Sequence, residues 1–313
     1  MQKKIFNIGE KEKSLPVHSV QFQQRLSKIL HLSLQAYQAG DVAKAEKGYL
    51  KILRYKPDST QALHMLGCMA AKVKNYDAAV HYIRQAIEHN PSVPAYHMNL
   101  GNIYRRRQHY HNALKCYKQA IALDSGNEDA YYSCGVVYQH LGLLDNAIDS
   151  YRHALSINQN NACAHNNLGY ALKKAGHRDH AIKHFKEAIR IKPRYAFAHN
   201  NLSNVLKSMG EERVSFEHYK KAIRYMPDYT DVQYTIGRYL QEQQKFNDPI
   251  DYFNYSLRIS FDHAESLCSI GSIFLLRNKF PEAVRCFKQA LKINPEFTEA
   301  RKGLRKAYEK YNF

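Results

Sequence analysis

A block of 34 residues repeats along this chain, and a repeat of fixed length constrains the fold more strongly than any other feature of the sequence. The segment that starts at Asn99, NLGNIYRRRQHYHNALKCYKQAIAL, aligns without gaps with the segment that starts at Asn167, NLGYALKKAGHRDHAIKHFKEAIRI. The two starting points are 68 residues apart, which is twice 34. Stepping by this period in both directions gives eight consecutive units, with the bounds 26–59, 60–93, 94–127, 128–161, 162–195, 196–229, 230–263 and 264–297.

Each unit has the pattern of two amphipathic helices. Apolar residues recur at i, i+3, i+4 and i+7 in both halves, and a short polar turn separates the halves. The eighth position of a unit is mostly Gly and the twentieth mostly Ala, as at Gly101 and Ala113. Because a Gly inside a helix costs about 1 kcal/mol relative to Ala, its recurrence indicates that a second helix packs closely against it. A large side chain such as Tyr117 fills position 24, and Pro often ends the second helix at position 32.

Taken together over eight units, these positions resemble the tetratricopeptide repeat (TPR) family, and the resemblance covers residues 26–297. It implies an all-α fold, a right-handed superhelical α-solenoid of eight helix-turn-helix repeats. The Asn-rich first helices, as in the segment HNNLG that starts at His165, are most similar to the superhelical TPR arm of O-linked N-acetylglucosamine transferases. Those transferases need a separate catalytic domain, for which this sequence leaves no residues. We therefore expect no enzymatic activity and no cofactor.

Two short segments lie outside the repeats. In the N-terminal segment, 1–25, we expect residues 1–17 to be loose and a helix to begin near Val20. In the C-terminal segment, 298–313, we expect a capping helix that covers the last repeat. The apolar face of this capping helix would contain Ala300, Leu304, Ala307 and Tyr308.

The seventh unit departs from the pattern, because Pro249 replaces the small residue of position 20 and Phe261 occupies position 32. Asp248 is a residue type that often caps a helix, so the second helix of this unit should begin late, with Pro249 in its first turn.

The charge of the chain points to an acidic partner. Lys and Arg number 46 against 28 Asp and Glu, a net charge of +18. The charge is uneven, because the third and fifth units carry +4 and +6 while the fourth carries −3, so a basic track for a long nucleic acid would be interrupted.

No apolar run is long enough to span a membrane. The six Cys form no C-x-x-C pair, which indicates free thiols in a reducing compartment. We expect a cytoplasmic location.

The candidate binding site is the concave face, which the first helix of each repeat should line. We expect positions 2, 5, 6, 9, 12 and 13 to face this groove. An Asn side chain both donates and accepts hydrogen bonds, so a ladder of Asn suits an extended polypeptide backbone, and in the family resemblance this ladder is the substrate-binding device. The expected ladder is Asn99, Asn102, Asn166, Asn167, Asn200, Asn201 and Asn204. The expected basic edge is Arg105, Arg106, Lys173, Lys174 and Lys207.

These features favour a non-enzymatic protein-interaction scaffold that binds an extended, acidic peptide segment. The carboxylate clamp of chaperone-binding TPR proteins is disfavoured. In the family resemblance this clamp uses Lys at position 5, and no unit has Lys there. One alternative is nucleic-acid binding by a basic helical repeat. Another is a targeting arm for a separate glycosyltransferase.

Histidines raise the question of a metal site. His177, His180 and His184 share one helix face and could bind Zn²⁺, although we interpret them as exposed polar residues. The histidines at position 4 of three units, His97, His165 and His199, recur in a packing position, so we expect hydrogen-bonded interior side chains rather than ligands.

Overall fold

The computed structural model describes residues 20–227, 230–242, 247–260 and 262–311, and these residues are mostly helical, without a strand among them. The expectation for residues 1–17, and the residue Phe261, lie outside this part of the chain. The helices are α1 Val20–Gln38, α2 Val42–Tyr55, α3 Thr60–Lys72, α4 Tyr76–His89, α5 Pro94–Arg106, α6 Tyr110–Leu123, α7 Glu128–His140, α8 Leu144–Ile157, α9 Ala162–Lys174, α10 Arg178–Ile191, α11 Ala196–Ser208, α12 Glu212–Tyr225, α13 Thr230–Glu242, α14 Asn247–Ile259, α15 Ala264–Leu276, α16 Phe280–Ile293 and α17 Thr298–Tyr311.

The turn between the two helices of a pair has the same geometry in several pairs of this chain. The residue two positions before the second helix adopts a left-handed backbone, with φ of 89° at Gly176. At the equivalent places Lys74 and Gln108 adopt φ of 63° and 60°, although side chains other than Gly rarely do so. Between pairs, an Asn often caps the next first helix, and the side chain of Asn161 accepts a hydrogen bond from the Ala164 amide at 2.9 Å. The sequence register therefore sets where each helix starts.

Close packing within a pair depends on the small residues of positions 8 and 20. A Cβ atom at Gly101 would lie 2.6 Å from Cε1 of Tyr117, so the glycine admits the buried ring of the second helix. In the pair α11–α12 the two small positions are Ser203 and Ser215. Both are buried, and their hydroxyl oxygens lie 3.0 Å apart across the helix contact.

The chain divides into two compact units, residues 1–157 and 158–313. In the first unit, the two helices of each pair from α1 to α8 pack against each other, and α2, α4 and α6 also pack against the first helix of the next pair. Its core includes the small and large residues at positions 20 and 24 of the second helices, such as Ala45 and Tyr49 of α2 and Ala113 and Tyr117 of α6, all fully buried.

The second unit continues this arrangement from α9 to α16 and ends in α17, which packs against α16 and α15. Ala300 and Ala307 are fully buried and Leu304 packs beside them, as predicted for a capping helix, whereas Tyr308 is exposed. In α14, Pro249 is the third residue, so the prediction of a proline in the first turn is confirmed. Asp248 is the second residue of this helix and not its cap, because the helix already begins at Asn247.

Candidate functional site

In the first unit, the amide of Asn99 links two neighbouring first helices. Its Nδ2 atom lies 2.7 Å from Nε2 of His64 and donates a weaker bond to Sγ of Cys68, at 3.5 Å. An amide nitrogen can only donate, so Nε2 of His64 is the acceptor and this ring is neutral. Burial lowers the pKa of His64, which favours the same neutral state.

In the second unit, the same link joins Asn201 of α11 to Asn166 of α9. Asn201 Nδ2 donates to Asn166 Oδ1 at 2.9 Å, and Asn166 Nδ2 donates to Asn167 Oδ1 at 3.2 Å. In both units the donor and acceptor are 35 residues apart. An amide at position 6 thus reaches the side chain at position 5 of the preceding first helix.

This geometry changes the interpretation of position 5. Asn166 and Asn200 are only 6% and 8% exposed, although we expected this position to face an open groove. Asn166 is covered by the next first helix, since α9 and α11 pack directly on each other. Amides that remain partly exposed lie at position 6, in Asn99, Asn167 and Asn201, and at position 9, in Asn102 and Asn204.

The amides at position 9 bind buried tyrosines. The hydroxyl of Tyr117 donates to Asn102 Oδ1 at 2.8 Å, and the hydroxyl of Tyr219 donates to Asn204 Oδ1 at 2.7 Å. Asn204 Nδ2 also points to Asn200 Oδ1 at 3.4 Å. This role was not predicted from the sequence, although an Asn and a Tyr 15 residues apart in two units are a readable signal.

The histidines of position 4 tie each first helix to the turn that precedes it. The Nε2 atoms of these rings lie 2.8, 3.1 and 3.0 Å from backbone carbonyl oxygens six residues earlier. The pairs are His97 with Pro91, His165 with Gln159 and His199 with Pro193. The prediction of hydrogen-bonded interior histidines is confirmed, and because a carbonyl only accepts, each Nε2 carries a proton.

Two of these rings also face a histidine of the second helix. The Nδ1 atoms of His165 and His184 are 3.0 Å apart, and those of His199 and His218 are 2.9 Å apart. Burial lowers the pKa of His199 and lowers that of His218 to about 4, where repulsion from His199 and Lys221 adds to the effect. Neutral rings are thus favoured for His199 and His218, and a hydrogen bond in either pair requires that one Nδ1 accept.

The proposed histidine stripe is arranged differently from the sequence expectation. His177 and His180 are exposed, but His184 is only partly exposed because it bonds His165 on the other helix of the pair. Within the described residues, no group of three or more His, Cys, Asp or Glu side chains could hold a metal ion.

The basic residues of the second unit cluster at the end of α9. The Nζ atoms of Lys173 and Lys174 lie 4.9 and 5.8 Å from the ring centroid of Tyr170. Burial lowers the pKa of Lys173, and the neighbouring charge of Lys174 lowers it further. Lys207 lies at the equivalent end of α11 and is partly exposed.

The basic residues of the first unit line a cavity of about 380 Å³ on the first-helix side. Asn99, Asn102, Arg105 and Arg106 of the predicted site meet there, and Lys72 of α3 joins them. Lys72 was not among the residues predicted from the sequence, although it occupies position 13 of its unit, as Arg106 and Lys174 do. In this unit, therefore, the structure brings the predicted amides and basic residues together.

The cysteines are free thiols, and most lie within the packing. Burial raises the pKa of Cys68 to about 11 and that of Cys134 to about 12. These thiols are protonated at neutral pH, which makes them poor nucleophiles.

Three family models with the descriptions "TPR repeat" and "Tetratricopeptide repeat" match the chain. The first matches residues 101–142 and 140–176, the second matches 162–195 and 264–297, and the third matches 64–110. Together these ranges cover more than half of the chain. The chain belongs to the tetratricopeptide repeat family. The narrower similarity to the arm of glycosyltransferases stays a prediction.

Solved structures of low sequence identity share the TPR fold. A chain of the APC/C hetero-tetramer Cut9–Hcn1 has 15% identity and a TM-score of 0.65, covering 85% of this chain and 52% of its own. PilF of Pseudomonas aeruginosa has 21% identity and a TM-score of 0.61, covering 67% and 95%. PilW, a type IV pilus biogenesis factor, has 22% identity and a TM-score of 0.60, covering 67% and 98%.

The family supports a scaffold that binds proteins. Within the described part of this TPR chain, no helix is both long and apolar enough to cross a bilayer.

Proposed function

We propose that this TPR protein is a non-enzymatic scaffold that binds an extended, acidic segment of a partner protein along its first helices. The observation that carries the proposal is the row of partly exposed amides at position 6, in which Asn99 and Asn201 each reach the preceding first helix. Such a row offers donors and acceptors at regular spacing, which suits a peptide backbone. A cytoplasmic location and the absence of a cofactor belong to the same proposal.

The basic residues support an acidic partner. Lys173 and Lys174 share the ring of Tyr170 and make no ion pair with an acidic side chain in the described residues of the second unit. Because both side chains are positively charged and close together, a carboxylate beside them would be attracted by both charges. The patchy distribution of charge along the sequence favours a short acidic segment over a continuous polyanion.

The test uses the full chain and a fluorescein-labelled peptide of alternating Glu and Ala, with an alternating Gln and Ala peptide as the neutral comparison. The double variant Asn167→Ala and Lys174→Gln should weaken binding of the acidic peptide about tenfold, which corresponds to about 1.4 kcal/mol. The matched control is Lys183→Gln, which removes an exposed lysine from the second helix α10 and should leave binding unchanged.

A titration against generic single-stranded RNA separates the main alternative. If RNA binds more tightly than the acidic peptide, and its affinity falls steeply with salt, the chain is a nucleic-acid binder. Equal loss of peptide binding in Lys183→Gln would also defeat the proposal, because binding would then depend on total charge and not on the first-helix face.

A further inference from the structure

The cavity of the first unit lies among three successive first helices. Tyr37 comes from α1, Lys72 from α3, and Asn99, Arg105 and Arg106 from α5. Its volume of about 380 Å³ is enough for one or two side chains of a bound peptide. The remaining wall is largely apolar and is formed by Cys68, Ala71, Ile83 and Ile103, together with the amide of Asn102.

The cavity collects positive charge without an acidic neighbour. Lys72, Arg105 and Arg106 line it, and no acidic residue does. Within residues 20–157, none of these three makes an ion pair with a carboxylate, whereas the adjacent Arg107 lies 2.7 Å from Asp77 Oδ1. The three positive side chains at the cavity thus lack an acidic partner, whereas the neighbouring Arg107 has one in Asp77.

Arg105 is held in place but is not satisfied. The positive charge of its guanidinium beside the hydroxyl of Tyr117 opposes the rise that burial causes in the pKa of Tyr117. The same hydroxyl donates to Asn102. The Nε atom of Arg105 is nevertheless buried with no hydrogen-bond acceptor. A buried donor without a partner costs about 1–3 kcal/mol. A rotation of the guanidinium that exposes Nε would remove this cost, because a carboxylate could then accept from Nε and from a terminal nitrogen at once.

The surroundings favour a carboxylate on a polypeptide over the phosphates of a nucleic acid. The equivalent ends of the flanking first helices carry Tyr37 and Gln38 in α1, and Gln139 and His140 in α7. The positive cluster is therefore local and does not continue as a track for repeated phosphates. The apolar wall beside it suits the methylene groups of an acidic side chain.

We infer that this cavity is the anchor point for an acidic side chain of the bound segment, whose carboxylate pairs with Arg105 and is flanked by Lys72 and Arg106. The inference rests on the proposed function, because it names the group of the peptide that the first unit recognises. It differs in position from the chaperone clamp, whose lysine at position 5 this chain lacks.

The first experiment measures peptide binding to the full chain. Arg105→Gln should weaken the alternating Glu and Ala peptide at least tenfold and change binding of the Gln and Ala peptide less than twofold. The matched control Arg107→Gln removes the neighbouring arginine that already has an acidic partner, and should change both affinities less than twofold. Circular dichroism at the same temperature confirms that each variant is folded.

The second experiment tests the cavity without relying on a peptide. The Nε–H signal of Arg105 is followed by NMR, assigned by its loss in Arg105→Gln, while N-acetylglutamate is added at matched ionic strength. We expect a saturable shift of this signal, no shift with the neutral α-amide of N-acetylglutamine, and a weaker response to inorganic phosphate.

The outcomes separate the two proposals. If Arg105→Gln keeps full affinity for the acidic peptide, the anchor is wrong while the scaffold function stands. If no peptide binds but N-acetylglutamate shifts the signal, the scaffold function fails and the carboxylate site survives. The anchor is also wrong if phosphate shifts the signal more strongly than N-acetylglutamate does. It is wrong as well if replacing the peptide's terminal carboxylate by an amide weakens binding as much as Arg105→Gln does, because the site would then bind the terminus and not a side chain.

Discussion

The Nδ1 atom of His199 lies 2.9 Å from the Nδ1 atom of His218, so a first helix and its pair mate are joined through two titratable rings. Because Nε2 of His199 donates to the Pro193 carbonyl, its Nδ1 accepts while the ring is neutral. If both rings are protonated, two N–H groups point at each other and the contact is lost. The same arrangement recurs at His165 and His184, where the distance is 3.0 Å.

This relationship predicts that stability falls in mild acid. The folded-state pKa of His218 is lowered to about 4 from an ordinary value of 6.5, mainly by burial, with repulsion from His199, Lys221 and Lys186 adding to it and Glu217 opposing it. The unfolded chain therefore binds more protons than the folded chain between these values. The stability is fully present above pH 6.5 and is lost progressively toward about pH 4, at most ~1.4 kcal/mol per pH unit for each proton.

Urea unfolding of the full chain between pH 7.5 and pH 5 checks this prediction by circular dichroism. His218→Gln should lower the dependence of the unfolding free energy on pH. His111→Gln, which replaces an exposed histidine of α6, should leave it as in the unmodified chain. If the three proteins share one slope, the histidine pair does not control stability in this range.

Two tyrosines in equivalent positions should respond in opposite ways to loss of the hydroxyl. The Tyr117 hydroxyl donates to Asn102, whereas the Tyr49 hydroxyl is buried without a partner, and Leu34 stands where Asn102 would be in its unit. Tyr117→Phe should lower the unfolding free energy by about 1 kcal/mol. Tyr49→Phe should leave it unchanged or raise it, because it removes an unsatisfied polar group. Equal losses in thermal unfolding would show that the two hydroxyls are equivalent.

The period of 34 residues was sufficient to predict the helix pairs and the packing of Gly101 against Tyr117, because these contacts depend on side-chain size within one unit. It was not sufficient for Asn166, since its burial depends on the neighbouring first helix. Lys72 could have been found from its equivalence to Arg106. The absence of a hydrogen-bond partner at Arg105 Nε could not have been found from the sequence, because it depends on where a single guanidinium nitrogen lies.

Gly101→Ala should destabilise the first unit and disturb the cavity. The added Cβ atom would lie 2.6 and 2.8 Å from two ring carbons of Tyr117, so the ring would have to move. We expect a loss of about 1–3 kcal/mol from this overpacking, although Ala is the better helix former by about 1 kcal/mol. Acidic-peptide binding should weaken too, because Tyr117 positions Asn102 and Arg105. Gly126→Ala is the control, since the nearest atom lies at 3.4 Å. Equal midpoints of thermal unfolding would contradict the packing argument.

The amide link between Asn201 and Asn166 should contribute to stability independently of binding. Asn201→Ala leaves the Oδ1 atom of Asn166 without this donor in a side chain that is only 6% exposed. The expected loss is about 1–3 kcal/mol, the cost of an unsatisfied buried acceptor. Asn254→Ala, at an exposed position of α14, should cost little. A double-mutant cycle with Asn166→Ala should give a coupling free energy of about 1 kcal/mol in urea unfolding. Additive losses would mean that the two amides act separately, and a change in peptide affinity on Asn201→Ala could then be assigned to binding alone.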